Sequence, residues 1–322
     1  MDASPAASTD VPRVPSVSVV VAAYNAERTI EEALEGVGAQ TVAPLEVIVV
    51  DDGSSDATAQ RADRSDIATT VLRKANAGPS AARNTAIAIA RGEWIALLDA
   101  DDRWHPRKLE HQLEIATRHP TAAIVACDWA RSVDDLADGA TRPCSWLTYR
   151  DLLVLNRFQT STVLIRADVL RAIGGFDPSL DGVEDWDCWL RASLRGPVIL
   201  EHAPLVFYRD SPDGVSKDLR RLRRGALAIL RRERARGLLE PEDLAAIEAW
   251  HVQRILIGEL LAHDVLGSAL AFADLPRSRP WAHYAALRWY LVPFLRARLT
   301  RRRGPAVAPP GGAKPTAPAT PR

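Results

Sequence analysis

The stretch that most constrains this chain is residues 94–104, W-I-A-L-L-D-A-D-D-R-W. An apolar run from Trp94 to Leu98 ends abruptly at three carboxylates, Asp99, Asp101 and Asp102. A short apolar run bounded by charge predicts a buried strand in a sheet covered on both faces. Its carboxylates then emerge at the C-terminal edge of the sheet, where open α/β sheets bind ligands. Three like charges at one strand end repel one another and need a positive partner. A hard divalent cation, which takes one or two carboxylates plus substrate phosphates, meets that need. The plainer alternative is an acidic turn in which Asp102 caps the next helix. These residues alone leave both open.

Neighbouring segments repeat the pattern. Residues 16–23 (S-V-S-V-V-V-A-A) are β-branched and predict a first buried strand, with Tyr24 and Asn25 at its end. Ile30, Ala33, Leu34 and Val37 fall at i, i+3, i+4 and i+7, which predicts an amphipathic helix over 27–39. Residues 45–50 predict a second strand, ending at Asp51-Asp52-Gly53-Ser54-Ser55-Asp56, a turn that caps a following helix. Strand–helix–strand order with polar strand ends predicts a mostly parallel, doubly wound α/β sheet with helices on both faces. Further strands are expected at 69–73, 122–127 and 162–166, and helices at 79–90, 106–118 and 184–195. Residues 133–142 predict a loop, and 198–200 and 205–208 two short closing strands.

Composition narrows the classes. Of 322 residues, 47% are hydrophobic and 25% charged, as in a soluble globular protein. Lys+Arg and Asp+Glu are 41 each, so net charge gives no reason to expect a nucleic-acid partner. The cysteines, Cys127, Cys144 and Cys188, form no C-x-x-C pair, which argues against a zinc cage and for reduced thiols in a cytosolic protein. Residues 1–15 lack the basic start and apolar core of a secretory signal and predict a disordered lead-in. No run reaches the ~18 consecutive apolar residues of a membrane span. There is no G-x-x-x-x-G-K-[ST], no G-x-S-x-G and no H-E-x-x-H, and Gly36-Val37-Gly38 ends a helix where a dinucleotide fingerprint would open one.

Parallel strands bring their C-terminal ends to one edge, so Tyr24-Asn25, Asp51-Asp52 and Asp99 to Asp102 should share a cleft. It would hold what a nucleotide diphosphate needs: an aromatic for the base, a carboxylate for a base N–H, and an acid that binds a metal at the diphosphate. Lys74 and Arg83 are candidate cations for the ligand.

Three segments carry a family resemblance: 17–56 (V-S-V-V-V-A-A-Y-N…V-I-V-V-D-D-G-S-S-D), 76–102, and 174–191 (G-G-F-D-P-S-L-D-G-V-E-D-W-D-C-W-L-R). Together they closely resemble family 2 glycosyltransferases of the GT-A fold, from about Pro15 to Ser216. By that resemblance Asp99-Ala100-Asp101 matches the D-x-D motif, with Asp101, and Asp99 beside it, toward the metal. Asp52 matches the uracil-contacting Asp, which favours a UDP-sugar donor, and Ala22 and Tyr24 match nucleotide-pocket positions. Glu184-Asp185 matches the E-D motif, whose Asp resembles the catalytic base. The resemblance implies an inverting transfer from a nucleotide-activated sugar with Mg²⁺ or Mn²⁺. A base takes the acceptor's proton on one face of the sugar while a metal stabilises the departing diphosphate on the other. A helix N-terminus at Asp185 should help keep that base ionised, whereas capping alone is the structural alternative. The Q-x-x-R-W motif of processive members is absent, so transfer of one sugar is expected.

After about Ser216 strand patterns stop. Residues 217–240 hold nine Lys/Arg against three Asp/Glu, and 242–272 are expected to be helical. Arg296, Arg298 and Arg301 to Arg303 follow the aromatic pair Trp289-Tyr290. This basic region, 217–303, is either a solvated helical face or a contact with an anionic membrane, which would suit a lipid-linked acceptor. Aromatics are not interleaved with the basic run, which disfavours nucleic acid. Residues 304–322, rich in Pro, Ala and Gly, predict a disordered tail. The expected organisation is a GT-A domain at 16–216 followed by basic helices, in a cytosolic protein of glycan, cell-envelope or glycolipid synthesis. A sugar-nucleotide pyrophosphorylase would usually need a Gly-rich basic loop after the first strand, and residues 24–28 are not one. A silent nucleotide-sugar binder would have no need of both Asp101 and Asp185.

Overall fold

The computed structural model describes residues 13–139, 142–180, 182–210 and 218–261, with residues 269, 282, 286, 288 and 290 beyond them. The chain divides into two compact units, Met1–Gly225 and Ala226–Arg322.

In the first unit β1 (Val17–Ala23), β2 (Glu46–Asp51), β3 (Thr70–Arg73) and β4 (Trp94–Asp99) run parallel in the order β3-β2-β1-β4. They are joined by α1 (Ile30–Gly38), α2 (Thr58–Asp63) and α3 (Pro79–Ile89). Strands buried on both faces need apolar side chains at consecutive positions, which is why β2 reads E-V-I-V-V-D and is buried throughout. Val17, Val19 and Val21 of β1 pack in one cluster with Leu34 and Val37 of α1 and Leu98 of β4. Val20, Ile48 and Val50 are buried on the other face. The register sets Ala22 beside both Val50 and Asp99, and Ala23 beside Asp51. Three strands therefore end together at one edge.

The chain continues through β5 (Arg103–Trp104), α4 (Lys108–Arg118), β6 (Ile124–Ala130), β7 (Cys144–Leu147), α5 (Tyr149–Val154), β8 (Val163–Arg166), α6 (Ala167–Ala172), α7 (Glu184–Ser193) and β9 (Val198–Phe207). The sheet extends β4-β8-β6-β9-β5, with β7 also on β9. β8 is antiparallel to β4 and β6, β6 and β9 are parallel, and β9 meets β5 and β7 antiparallel. The sheet is thus mixed, and its parallel half carries the strand ends read from the sequence.

Several elements differ from expectation. α1 starts at Ile30, because Glu27 is held across to the second turn: its N–H donates to Asp56 and its carboxylate accepts from the Ala57 N–H. α4 starts at Lys108 with Arg107 at its N-cap, so Asp102 does not cap it. The two expected closing strands are one strand, β9, which follows β6 through register shifts around Asp128. The loop after β6 holds a short 3₁₀ turn at Val133–Asp135. β5, β7, α5 and α6 have only two to six residues each, too few to show a period.

α8 (Leu219–Arg236) and α9 (Pro241–Leu261) follow. No helix among the described residues is long and apolar enough to cross a membrane. The expected lead-in up to residue 12, Arg296, Arg298, Arg301 to Arg303 and the 304–322 tail lie outside the described residues.

Candidate active site

Asp52 follows β2 and is buried. Its carboxylate accepts hydrogen bonds from the N–H groups of Ala77 (3.1 and 3.2 Å) and Gly78 (2.7 Å) and from Lys74 Nζ (2.7 Å). Gly78 is left-handed (φ +87°) and Pro79 opens α3, so Asp52 ties the end of β2 to the entry of that helix. Lys74 is thereby engaged with Asp52. Tyr24 stands 53% exposed at the same edge. Asn25 beside it is fixed to the next turn: its N–H donates to Ser54 Oγ, and its side-chain oxygen accepts from the Ser55 N–H, both at 2.9 Å.

α3 carries the hub of the site. The buried Arg83 guanidinium donates to Asp99 Oδ1 at 2.7 Å and to Glu184 Oε1 at 3.1 Å, and lies over the Phe176 ring. Burial opposes its charge, but the two carboxylates more than offset this and raise its pKa. The next residue, Asn84, donates to the Phe176 carbonyl (2.8 Å) and accepts from the Phe176 N–H (2.9 Å). Gly175, at φ +70°, lies so close to the Asn84 side chain that no Cβ fits between them. The G-G-F-D turn is thus docked on α3, and it leads the chain to α7.

The acid loop after β4 is pinned from below. Asp102 is buried, accepting from Ser161 Oγ (2.6 Å) and from the Arg209 N–H (2.9 Å). Ser161 Oγ also accepts from the Asp99 N–H (3.0 Å), and the Ser161 carbonyl takes the Trp104 indole N–H (2.9 Å). Arg209 donates to the Asp101 carbonyl (2.9 Å) and to Glu32 (2.7 Å). The Asp101 carboxylate has no ion pair among the described residues. Burial, then the charge of Asp99, push its pKa up to about 6. The charges of Arg209 and Arg83 offset this only in part, so the acid fits a divalent cation, with Asp99 adjacent. No three His, Cys, Asp or Glu side chains among the described residues are arranged to hold a metal by themselves. A site of one or two carboxylates completed by phosphate oxygens is consistent with that.

Asp185 is the second residue of α7. One carboxylate oxygen accepts from the Trp186 N–H (2.6 Å) and the other from Asn156 Nδ2 (2.9 Å). The helix terminus does not hold it in the ordinary carboxylate range. Burial, then the charge of Glu184, outweigh those bonds and push its pKa up to about 7. Val183 is the N-cap and makes no side-chain cap bond, so neither acid acts as an N-cap; Glu184 accepts from the Gly182 N–H at 2.8 Å and from Arg83.

The structure therefore links Asp52 to α3, α3 through Arg83 to Asp99 and Glu184, and Glu184 to Asp185, with Ala22 paired beside Asp99. Arg83 is spent on protein carboxylates, where the sequence pointed to a ligand cation. Sequence reasoning missed Asn156, Ser161 and Arg209, each distant along the chain from the acid it touches and set in no local motif.

A mostly parallel mixed sheet with helices on its faces and an acidic D-x-D loop at the strand ends defines a GT-A-type protein. The model for glycosyl transferase family 2 matches residues 18–172 of the chain. The succinoglycan biosynthesis protein ExoO of Rhizobium meliloti is 44% identical over 108 residues, 33% of this chain and 31% of ExoO. The structure of Staphylococcus aureus TarS 1-349 in complex with UDP-GlcNAc matches with a TM-score of 0.62 at 20% identity, covering 84% of this chain and 87% of that one. The mannosyltransferase PcManGT of Pyrobaculum calidifontis, in complex with GDP-Man and Mn²⁺, matches with a TM-score of 0.58 at 21% identity, covering 87% and 88%. Curated relatives from Mycobacterium are 32% identical over 216 residues, 62% of this chain, and the chain spans about 60% of their length.

Proposed function

We propose that this chain is an inverting, non-processive, metal-dependent glycosyltransferase of glycan or cell-envelope synthesis. It moves one sugar from a nucleotide-diphosphate sugar to an acceptor hydroxyl. The carrying observation is the bridge from Arg83 to both Asp99 and Glu184, which sets the D-x-D and E-D segments in one site. TarS with UDP-GlcNAc and PcManGT with GDP-Man support a nucleotide-sugar donor, and Asp52 favours uridine among the nucleotides.

Each residue then has a task. The Tyr24 ring stacks on the base, Ala22 leaves room beside it, and the Asp52 carboxylate accepts a base N–H. Lys74 holds Asp52 in place from behind. Asp101, with Asp99, would hold a Mg²⁺ or Mn²⁺ that supplies positive charge at the diphosphate as it leaves. Asp185 takes the acceptor hydroxyl's proton at a carboxylate oxygen. Glu184, held by Arg83, fixes the turn of α7 on which that base sits. Asn156 orients the base through its second oxygen. The acceptor is unassigned; a lipid-linked one would suit the basic helix α8.

A thermal-shift screen of nucleotide-sugars with and without Mn²⁺ tests this reading, because a ligand that binds the folded state raises its stability by mass action. One donor with Mn²⁺ should raise the melting temperature above either component alone. Asp101→Ala should abolish the Mn²⁺-dependent part and leave the unliganded protein folded. No shift with any nucleotide-sugar, or an unchanged metal effect in the variant, would overturn the assignment.

A further inference from the structure

α8 carries a feature that glycosyl transfer does not use. Its 18 residues, L-R-R-L-R-R-G-A-L-A-I-L-R-R-E-R-A-R, hold eight arginines and one glutamate in a chain whose charges balance only overall. Arg220, Arg224, Arg231 and Arg234 are exposed, whereas Ala226, Ile229 and Leu230 are buried. At about 100° per residue, the four exposed positions fall within about 80° of one another on the helix. The half-buried Leu227 lies in the same stripe, and Leu238, 52% exposed, follows the helix end. Arg234 also pairs with Glu248 of α9, and Arg220 is engaged as well.

We propose that this stripe is a docking surface for an anionic lipid bilayer. A straight row of guanidinium groups on one side of a helix complements a flat sheet of negative charge. Arginine stems cover apolar surface while their heads reach phosphate, which suits a stripe with leucine inside it. α8 has no aromatic residue to stack on a base, which favours a flat anionic surface over a single strand of nucleic acid. The first turns of the helix are tightly packed. Gly225 has no room for a Cβ, which would run into the Val183 side chain, and Val183 immediately precedes Glu184 and Asp185.

The test is flotation of the full chain with vesicles, which reads binding without reference to transfer. Two compositions are compared, phosphatidylcholine alone and phosphatidylcholine with phosphatidylglycerol. The wild type should float with the anionic vesicles alone and be released as salt rises past the point where the Debye length falls below ~10 Å. Each arginine near such a surface changes partition about fivefold, so Arg220→Gln, Arg224→Gln and Arg231→Gln together should weaken it on the order of 100-fold. Glutamine keeps helix propensity, and an unchanged circular dichroism spectrum and melting temperature show that the variant is folded. A variant that unfolds is replaced by the single substitution Arg224→Gln, with about a fivefold loss expected. Failure of the wild type to bind anionic vesicles at low salt would overturn the proposal. So would equal binding by a folded variant, or binding to a single-stranded oligonucleotide in place of vesicles. None of these outcomes bears on the transferase reading.

Discussion

Arg83 donates from two nitrogens of one planar group, Nη1 to Glu184 and Nη2 to Asp99, carboxylates from distant parts of the chain. Lysine carries the same charge at a single point and cannot hold both. Arg83→Lys should lower kcat by about 100-fold, the cost of a misplacement near 1 Å at a reacting centre. Donor KM should change far less, and steady-state kinetics with a fixed donor would check the split. Asp185 yields a second expectation. As the proposed base, Asp185 must be ionised, and its pKa in the unliganded protein is raised to about 7, so kcat/KM should climb as pH rises through 7 and level off above it. Asp185→Asn should retain donor binding, lose about 10²- to 10⁴-fold in turnover, and abolish that pH limb. The same shift has a sign for stability. The folded state holds the proton more tightly than the unfolded one, so the contribution of this group is present at low pH and lost as pH rises from about 4 to about 7. Asp185→Asn should therefore raise the melting temperature more at pH 8 than at pH 4, and a melting series across that range would show it.

At the scale of elements, the legible parts were those whose burial leaves a one-dimensional trace. β1, β2 and β4 are covered on both faces, so their apolar runs stop abruptly where the edge begins. The G-P at the start of α3 and the E-D at the start of α7 were legible because turn and helix-start chemistry is local. β9 reads as two short strands because His202 and Pro204 interrupt its apolar pattern where β6 shifts register. The role of Asp102 was not legible at all. Three adjacent acids look alike in a sequence, and only the packing of Ser161 and Arg209 sends one of them inward. Arg83 posed the same difficulty, since a guanidinium serves a phosphate or a carboxylate equally well and only the fold decides. Ser161→Ala tests the buried pin. Leaving Asp102 one donor short should cost about 1–3 kcal/mol. Urea unfolding would measure the loss, and an unchanged midpoint would show that the acid loop is held by other means.

At the scale of the molecule, a sheet edge gathers polar strand ends from segments far apart in sequence, and a single arginine joins its two acidic motifs. The family match covers residues 18–172, while α7 with Glu184 and Asp185 lies beyond it. The basic helix α8 lies further along, past the last strand. The most direct measurement is a crystal structure of the full chain soaked with UDP and Mn²⁺, read by anomalous scattering at the manganese edge. The expected result is one manganese peak bonded to an Asp101 oxygen and to the diphosphate, with uracil on Tyr24 and Asp52 and Asp185 across the open side from the β-phosphate. A nucleotide lodged elsewhere, or a manganese peak that leaves Asp101 uncoordinated, would contradict it.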